Sequence, residues 1–261
     1  MMLDLRRIQL ATEQTMLDDL ESITKSYEQL YDIQIHVSTK SVPTANLCPT
    51  EPFLEEDKLA LVFEKIIEED YNPAIIAVES RSIFYILDGH HRAYIRLKVA
   101  EPFIRAYVLL FPDYRPFRER GKRRLEDMAT IRISPIDNPI LATWNQILTL
   151  LRYYEKLFGI PFMLREAYVP LTQLIPTQAT VNSSRILGVR GVKVPIACLE
   201  VDGHYPILDG HARALVAKED GLSSIHTIVL VPRRPVRFRI IATAERMGLK
   251  TLRDIRIQED T

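Results

Sequence analysis

The sequence predicts an α+β fold built as two tandem domains, each with a small mixed sheet and flanking helices. Three observations support this prediction. One polar phrase occurs twice, the segments upstream of it also align, and both halves pass through helical and strand periodicities in the same order. We place the first domain at residues 1–134 and the second at residues 135–261. Domains of this size are long enough to bury a hydrophobic core.

The repeat extends over most of the chain. Residues 86–92 read Ile-Leu-Asp-Gly-His-His-Arg, and residues 207–213 read Ile-Leu-Asp-Gly-His-Ala-Arg, 121 positions later. Upstream, Tyr-Glu-Gln-Leu-Tyr-Asp-Ile at 27–33 aligns with Tyr-Glu-Lys-Leu-Phe-Gly-Ile at 154–160, 127 positions later. The second copy therefore lacks six residues between these segments, as expected for a deletion between elements.

The elements of each copy follow from periodicity. A helix opens each copy, because apolar residues recur at helical spacing. A second helix follows in the first copy, with Thr50 as its N-cap and Pro52 in its first turn. Strands are predicted at 74–78, 83–87 and 104–111, and a helix at 92–98. The apolar stripes of the two opening helices are Met16, Leu17, Leu20, Ile23, Tyr27 and Leu30, and Ile140, Leu141, Trp144, Ile147, Leu148, Leu151, Tyr154 and Leu157.

Composition narrows the function classes. Lys and Arg number 34 and so do Asp and Glu, whereas a dedicated nucleic-acid binder is usually basic. Cys48 and Cys198 lack metal-ligand spacing, which favours two reduced thiols. No apolar stretch reaches the length of a membrane span. We therefore expect a cytoplasmic protein with no membrane partner.

The first copy of the phrase has the residue types of a phosphate site. A strand end leads through Gly89 into a helix start, where free backbone N–H groups bind anions. Arg92 offers two parallel hydrogen bonds to phosphoryl oxygens. Asp88 is a candidate ligand of Mg²⁺, and Glu51 is a candidate general base.

Each of these residues also has a structural interpretation. Glu51 is also suited to complement a helix N-terminus, and Asp88 with Gly89 to form a turn. His90 and His91 lack zinc-site spacing and suit a polar helix start. Persistence of the phrase in both copies, while the connecting sequence diverged, favours the functional interpretation.

The motif Leu47-x-Pro-Thr-Glu51, followed by a helix and by Asp-Gly-His-His-Arg at 88–92, resembles the ParB/sulfiredoxin-like domain family. The resemblance covers about residues 42–110 and, more loosely, 169–231. Sulfiredoxins carry a catalytic cysteine where this chain has His90, which excludes that activity. Chromosome-partitioning ParB proteins use a Gly-Glu-Arg-Arg phrase and a helix-turn-helix, and the sequence shows neither. The free serine kinases of this family match the motif best.

The resemblance implies a nucleotide-dependent phosphotransferase with free L-serine as the first candidate acceptor. Glu51 would take the hydroxyl proton, and Asp88 would orient Mg²⁺ or substrate. The nucleotide-binding group would be Thr50, Gly89, His90, His91 and Arg92. The implied cofactor is Mg²⁺ with ATP or ADP, and the sequence does not choose between these nucleotides and CTP. Free serine kinases carry a distinct substrate domain where this chain has a second copy, so the acceptor is the open part of this hypothesis.

The second copy is predicted to be degenerate. Gln178 replaces Glu51 and cannot act as a base, and Ala212 replaces His91. The residues that remain are Asp209, Gly210, His211 and Arg213. We therefore expect one working site and one site that is a scaffold or binds a nucleotide without turning it over.

Two rival functions stay open. A ParB-like DNA-binding protein or nuclease would use basic runs that each contain an aromatic residue, Phe117 or Phe238. The first run is Arg115, Arg118, Arg120, Lys122, Arg123 and Arg124, and the second is Arg233, Arg234, Arg237 and Arg239. A charge run is also typical of a solvated face. The third hypothesis is a nucleotide sensor without catalysis that switches a partner.

Overall fold

A computed structural model of the protein describes residues 8–111, 124–133, 136 and 138–259. The chain divides into two compact units, Met1–Asn145 and Gln146–Thr261. The division falls inside the long helix α4 (Pro139–Phe158). The boundary expected from the sequence, between residues 134 and 135, precedes this helix.

The first unit contains one five-stranded mixed sheet in the order β1-β6-β4-β5-β2. Strand β4 is central and pairs parallel with β6 and antiparallel with β5. A separate parallel pair joins β3 to β7. The elements are α1 (Glu13–Tyr31), β1 (His36–Pro43), β2 (Leu47–Pro49), β3 (Phe53–Glu55), α2 (Glu56–Glu69), β4 (Ile75–Ser80), β5 (Ile83–Asp88), α3 (His90–Lys98), β6 (Phe103–Leu110) and β7 (Ala129–Ile131).

The second unit repeats this topology. Its sheet order is β8-β13-β11-β12-β9, with the same parallel and antiparallel pairings, and a separate parallel pair joins β10 to β14. The elements after α4 are β8 (Phe162–Pro170), β9 (Leu174–Ile175), β10 (Thr180–Asn182), α5 (Ser183–Val189), β11 (Ile196–Leu199), β12 (Tyr205–Asp209), α6 (His211–Glu219), β13 (Ser224–Pro232), α7 (Arg239–Arg246) and β14 (Arg256–Gln258). The predicted α+β class with two tandem mixed-sheet domains is confirmed.

The six-residue deletion falls on the helix between the phrase and its upstream loop. In the first unit this helix, α2, has 14 residues, and its counterpart α5 has 7. Because the loss shortens a helix and not a strand, the sheet order is unaffected.

Each core forms around its central strand. Residues 75–78 of β4 are fully buried, as expected for a strand covered on both faces. Met16 of α1 packs against Ile76 and Val78. Trp144 of α4 packs edge-to-face against Phe63 of α2, with ring centroids 4.8 Å apart. Met16 thus packs α1 against the sheet whose strand β5 leads into the candidate site, and the ring contact packs α4 against α2.

The structure corrects the predicted start of the second helix. Helix α2 begins at Glu56, and residues 53–55 form β3 instead. Thr50 is therefore not an N-cap, since its hydroxyl donates to the carbonyl oxygen of Ile86. The sequence cue was a Thr-Glu-Pro segment, which is equally compatible with a loop held by a neighbouring strand.

The predicted helical stripes are partly wrong at their ends. Leu17 and Leu30 of α1 and Ile140 and Leu157 of α4 are exposed, whereas the middle of the α4 stripe is buried. Periodicity identifies a helical face, but how far the sheet covers that face depends on tertiary packing. No helix among residues 8–111 and 124–259, so far as they are described, is long and apolar enough to cross a membrane.

Candidate functional site

The candidate site begins where β5 ends and α3 begins. Gly89 joins them in the left-handed region, with φ +96°, and in the described part of the chain no side chain caps the α3 N-terminus. A Cβ at Gly89 would lie 2.6 Å from Cγ2 of Ile75 and 2.8 Å from Nη2 of Arg92. Only glycine fits this close approach, which leaves the first N–H groups of α3 at the strand end.

His90 ties this helix to the loop that carries Glu51. Its Nε2 accepts the backbone N–H of Thr50 at 3.1 Å and of Glu51 at 3.3 Å. The Thr50 hydroxyl, 3.3 Å from the same nitrogen, donates to the Ile86 carbonyl at 2.5 Å. We call this arrangement of Thr50, Ile86 and His90 the Thr–His bridge. It holds the loop beside the end of β5.

His91 has a similar structural contact one position later. Its Nε2 accepts the backbone N–H of Glu55 at 3.0 Å and so holds the residue before α2. Burial lowers the pKa of His90 to about 4 and that of His91 to about 3. Both rings are therefore neutral near pH 7, and their predicted role as phosphate-binding groups stays a prediction.

Arg92 is buried and positions Asp88. Its Nη2 donates to Oδ2 of Asp88 at 2.9 Å and to the carbonyl of Ala74 at 3.2 Å. The Asp88 side chain is 41% exposed while that of Arg92 is only 8% exposed. The guanidinium thus holds a carboxylate that faces outward from the end of the sheet.

Glu51 lies in the loop that His90 holds beside the end of β5. Its side chain is 49% exposed, and Oε1 is 3.5 Å from Nδ1 of His90. Desolvation raises the pKa of the Glu51 carboxyl, and the charges of Asp88 and Glu55 raise it further, while Lys58 lowers it. A carboxylate with a raised pKa, open to solvent, has the properties of a general base.

These side chains line one cavity of about 230 Å³ in the first unit. The sequence-predicted residues Glu51, Asp88, Gly89, His90, His91 and Arg92 all reach it. Its other lining residues are Gln9, Leu10, Ala11, Thr15, Asp19, Lys58, Val62 and Tyr71. Thr50 contacts the cavity residues through its bond to His90 but is not part of the lining.

Sequence reasoning missed Lys58 and the α1 residues. Lys58 lies in the first turn of α2, and its charge acts on Glu51 and on both histidines. Its spacing of seven residues from Glu51 is not a signal, because Glu51 lies outside α2 and β3 stands between them. Thr15 and Asp19 reach the cavity only because α1 packs beside β4, which no local pattern specifies.

The second unit reproduces the Thr–His bridge. The backbone N–H of Thr177 donates to Nε2 of His211 at 3.0 Å, and the Thr177 hydroxyl donates to the Ile207 carbonyl at 2.5 Å. Arg213 bonds to Asp209 at 2.7 Å. The repeated phrase therefore has a structural cause in both units, and its persistence is no argument for chemistry by itself.

The units differ at the residues around the shared frame. The position of Glu51 is taken by the exposed Gln178, and the backbone contact of His91 is lost at Ala212. Gly210 keeps the left-handed turn at φ +100°. The second unit thus preserves the Thr–His bridge, the Arg–Asp pair and the glycine turn, and it lacks a carboxylate at the position of Glu51.

The basic runs stay a prediction as a nucleic-acid surface, and the four arginines of the second run, Arg233, Arg234, Arg237 and Arg239, are exposed. Arg115, Arg118, Arg120, Lys122 and Arg123 lie outside the described residues. Arg124 is exposed and pairs with Glu126 at 3.3 Å. Phe238 is buried, and its ring packs against Tyr154, Phe158 and Phe162, so it is a core residue and not a stacking platform.

We expect acid to destabilise the fold through the bridge histidines. His90, His91 and His211 have folded pKa values of about 4, 3 and 4, below the ordinary 6.5. The unfolded chain therefore binds more protons between pH 6.5 and 4, and stability falls as the pH drops through that window. Urea titrations at pH 7 and 5 should differ by roughly 2 kcal/mol per histidine. A His204→Gln control, at an exposed position, should keep this difference, and equal stability at both pH values would contradict it.

Comparison with known proteins gives two partial likenesses. Protein-family models give no match. The chain is 26% identical over 122 residues to an uncharacterized protein of Methanocaldococcus jannaschii, a match that covers 44% of this chain and 46% of that protein. The chain thus spans about half the length of the curated relative it matches. Sulfiredoxin from Arabidopsis thaliana matches with 19% identity over 31% of this chain and 96% of its own, at a TM-score of 0.21, a likeness too low to carry an argument.

Proposed function

We propose that the first unit is a nucleotide-dependent phosphotransferase that acts on a small hydroxylated metabolite, with free L-serine as the first candidate. The observation that carries this proposal is one cavity that joins Glu51, whose pKa is raised, to the uncapped N-terminus of α3. The helix end supplies charge stabilisation for phosphoryl oxygens, and the candidate base would orient and deprotonate the acceptor hydroxyl; both parts recur in phosphoryl transfer.

The proposed reaction is one transfer of a phosphoryl group to a hydroxyl oxygen. The Glu51 carboxylate accepts the hydroxyl proton as the acceptor oxygen bonds to phosphorus. The bond from phosphorus to the nucleotide leaving group breaks, and its electron pair stays with that leaving group. Lys58 and the first N–H groups of α3 stabilise the negative charge of the phosphoryl oxygens.

Asp88 is the residue that would hold the magnesium ion that such a nucleotide brings. Its Oδ2 takes the hydrogen bond from Arg92, which leaves Oδ1 on a side chain that lines the cavity. A magnesium–nucleotide complex needs only one or two carboxylates beside the phosphates, so a larger cluster of acidic residues is not required. The ion would neutralise phosphate charge, while Arg92 keeps the carboxylate oriented.

The ParB/sulfiredoxin-like resemblance supports the same proposal through the motif at 47–51 and 88–92. The degenerate second unit keeps the frame, and we assign it a supporting role. The proposal is tested by incubating the protein with Mg²⁺, L-serine and either ATP, ADP or CTP, and by detecting O-phosphoserine by mass spectrometry. Bound nucleotide without product would favour the regulator, and salt-sensitive DNA binding without product would favour the nucleic-acid hypothesis.

Lys58→Met is expected to weaken nucleotide binding about tenfold, because it removes a positive charge from the cavity wall. Isothermal titration calorimetry with the magnesium–nucleotide complex measures the change. The matched control is Arg185→Met, at the equivalent position on α5, which should leave the affinity unchanged. Equal affinities for both variants and the wild type would remove Lys58 from the site.

A further inference from the structure

His90 carries a polar atom that the Thr–His bridge does not use. The residue is buried and only 2% exposed, and its Nδ1 has no hydrogen-bond partner among the described residues. We propose that His90 is a positioning residue that donates a hydrogen bond from Nδ1 to the Glu51 carboxylate and holds it toward the cavity. The meaning of this contact for catalysis rests on the proposed function, but the contact itself does not.

The protonation of the ring follows from its neighbours. Two backbone N–H groups, of Thr50 and Glu51, point at Nε2, so this nitrogen must be the acceptor. A neutral imidazole has one acceptor and one donor nitrogen, which places the proton on Nδ1. The bridge therefore fixes the tautomer as well as the position of the loop.

The donor that results is directed at one acceptor. Oε1 of Glu51 lies 3.5 Å from Nδ1, a distance that a small rotation of a half-exposed side chain closes. A buried N–H without an acceptor is unfavourable, which drives that rotation. Hydrogen bonds of catalytic groups are often long before substrate binds and shorten in the complex.

The contact would oppose the burial and the neighbouring negative charges that raise the pKa of Glu51. Burial and the charges of Asp88 and Glu55 favour its protonated form, and Lys58 favours its charged form. A neutral donor at Nδ1 also favours the charged form and, unlike Lys58, fixes the direction of the carboxylate. His90 would thus favour the ionised carboxylate and orient it toward the cavity, while burial keeps the pKa of the carboxyl raised.

The second unit provides a natural comparison. His211 makes the same bridge to Thr177, at 3.0 Å and 3.3 Å, but position 178 is glutamine, which does not titrate. The bridge is therefore separable from the contact to a carboxylate. Substituting His211 disturbs an equivalent bridge without touching Glu51.

The first measurement uses the wild-type protein. Long-range ¹H–¹⁵N spectra of histidine-labelled protein, assigned with His90→Gln, are expected to show the His90 proton on Nδ1 from pH 6 to 8. A proton on Nε2 would overturn the proposal. This experiment needs no activity and no folded variant other than the one used for assignment.

The second measurement follows Glu51 by carboxyl ¹³C shifts, with Glu51→Gln for assignment. The glutamine in His90→Gln can return an amide oxygen to the two backbone donors but has no donor near Nδ1. We expect this variant to raise the pKa of Glu51 by about one pH unit, and His211→Gln to leave it unchanged. An unchanged pKa in both variants would overturn the contact.

The kinetic consequence separates the two proposals. If the chain transfers phosphate, His90→Gln should lower kcat about tenfold, leave KM nearly unchanged and move the acid limb of the pH profile upward. A shifted Glu51 titration in a protein that forms no product would retain the contact and reject the phosphotransferase. An unshifted titration in an active enzyme would do the reverse.

Discussion

Glu51→Gln is expected to lower phosphoryl transfer by about 10²- to 10⁴-fold, the range for loss of a general base. The amide has nearly the same shape and cannot accept the proton. Glutamine at the equivalent position 178 of the second unit shows that the loop accepts this residue. Nucleotide affinity should stay within about threefold of the wild type, because the helix N-terminus and Lys58 remain.

Mass spectrometry of the product gives the rate of phosphoryl transfer, and calorimetry gives the nucleotide affinity. The matched control is Glu64→Gln, a carboxylate on α2 whose pKa burial also raises but which does not line the cavity. This control should transfer phosphate at the wild-type rate. Similar losses in both variants would mean that the Glu51 effect is structural.

Gly89→Ala is expected to destabilise the first unit by about 2–4 kcal/mol. The substitution places a methyl group 2.6 Å from Ile75 on a backbone with φ +96°. Trp144 is the chain's single tryptophan and is buried in the first unit, so its fluorescence during urea unfolding reports this change. Gly210→Ala meets Ile196 at 2.5 Å and should destabilise the second unit by a similar amount, measured by circular dichroism.

Substitutions at two other glycines separate the effect of backbone strain from that of a steric clash. Gly159 has φ +64° and open space around it, so Gly159→Ala should show strain alone, about 1 kcal/mol. Gly188 lies within α5 with open space, and Gly188→Ala should be neutral or stabilising. Equal effects at all four positions would contradict the packing of the turn between strand and helix.

The repeat made the fold predictable, because two copies with the same periodicities must form the same elements. The start of α2 was less predictable, since Thr50 pairs with Ile86 on a strand 36 residues away. Leu17 and Leu30 are exposed although their spacing is helical, because coverage of a helix depends on what packs against it.

The motif residues lie together around one cavity, but the motif does not give the contacts that they make. Glu51, Asp88 and His90 do line one cavity, as the motif implied. The same phrase nevertheless serves as structural support, because the histidines accept backbone N–H groups and Arg92 bonds to Asp88 and a carbonyl. These uses require the three-dimensional approach of β2, β5 and α3, which no spacing in the sequence records.

The pH dependence of kcat/KM for phosphoryl transfer tests most directly whether Glu51 is the base. Desolvation of Glu51 predicts an acid limb in the wild type with a pKa above the ordinary 4.5, and the residual activity of Glu51→Gln should lack that limb. Circular dichroism at each pH ensures that loss of the fold is not measured instead. An identical acid limb in the wild type and in Glu51→Gln would contradict the account.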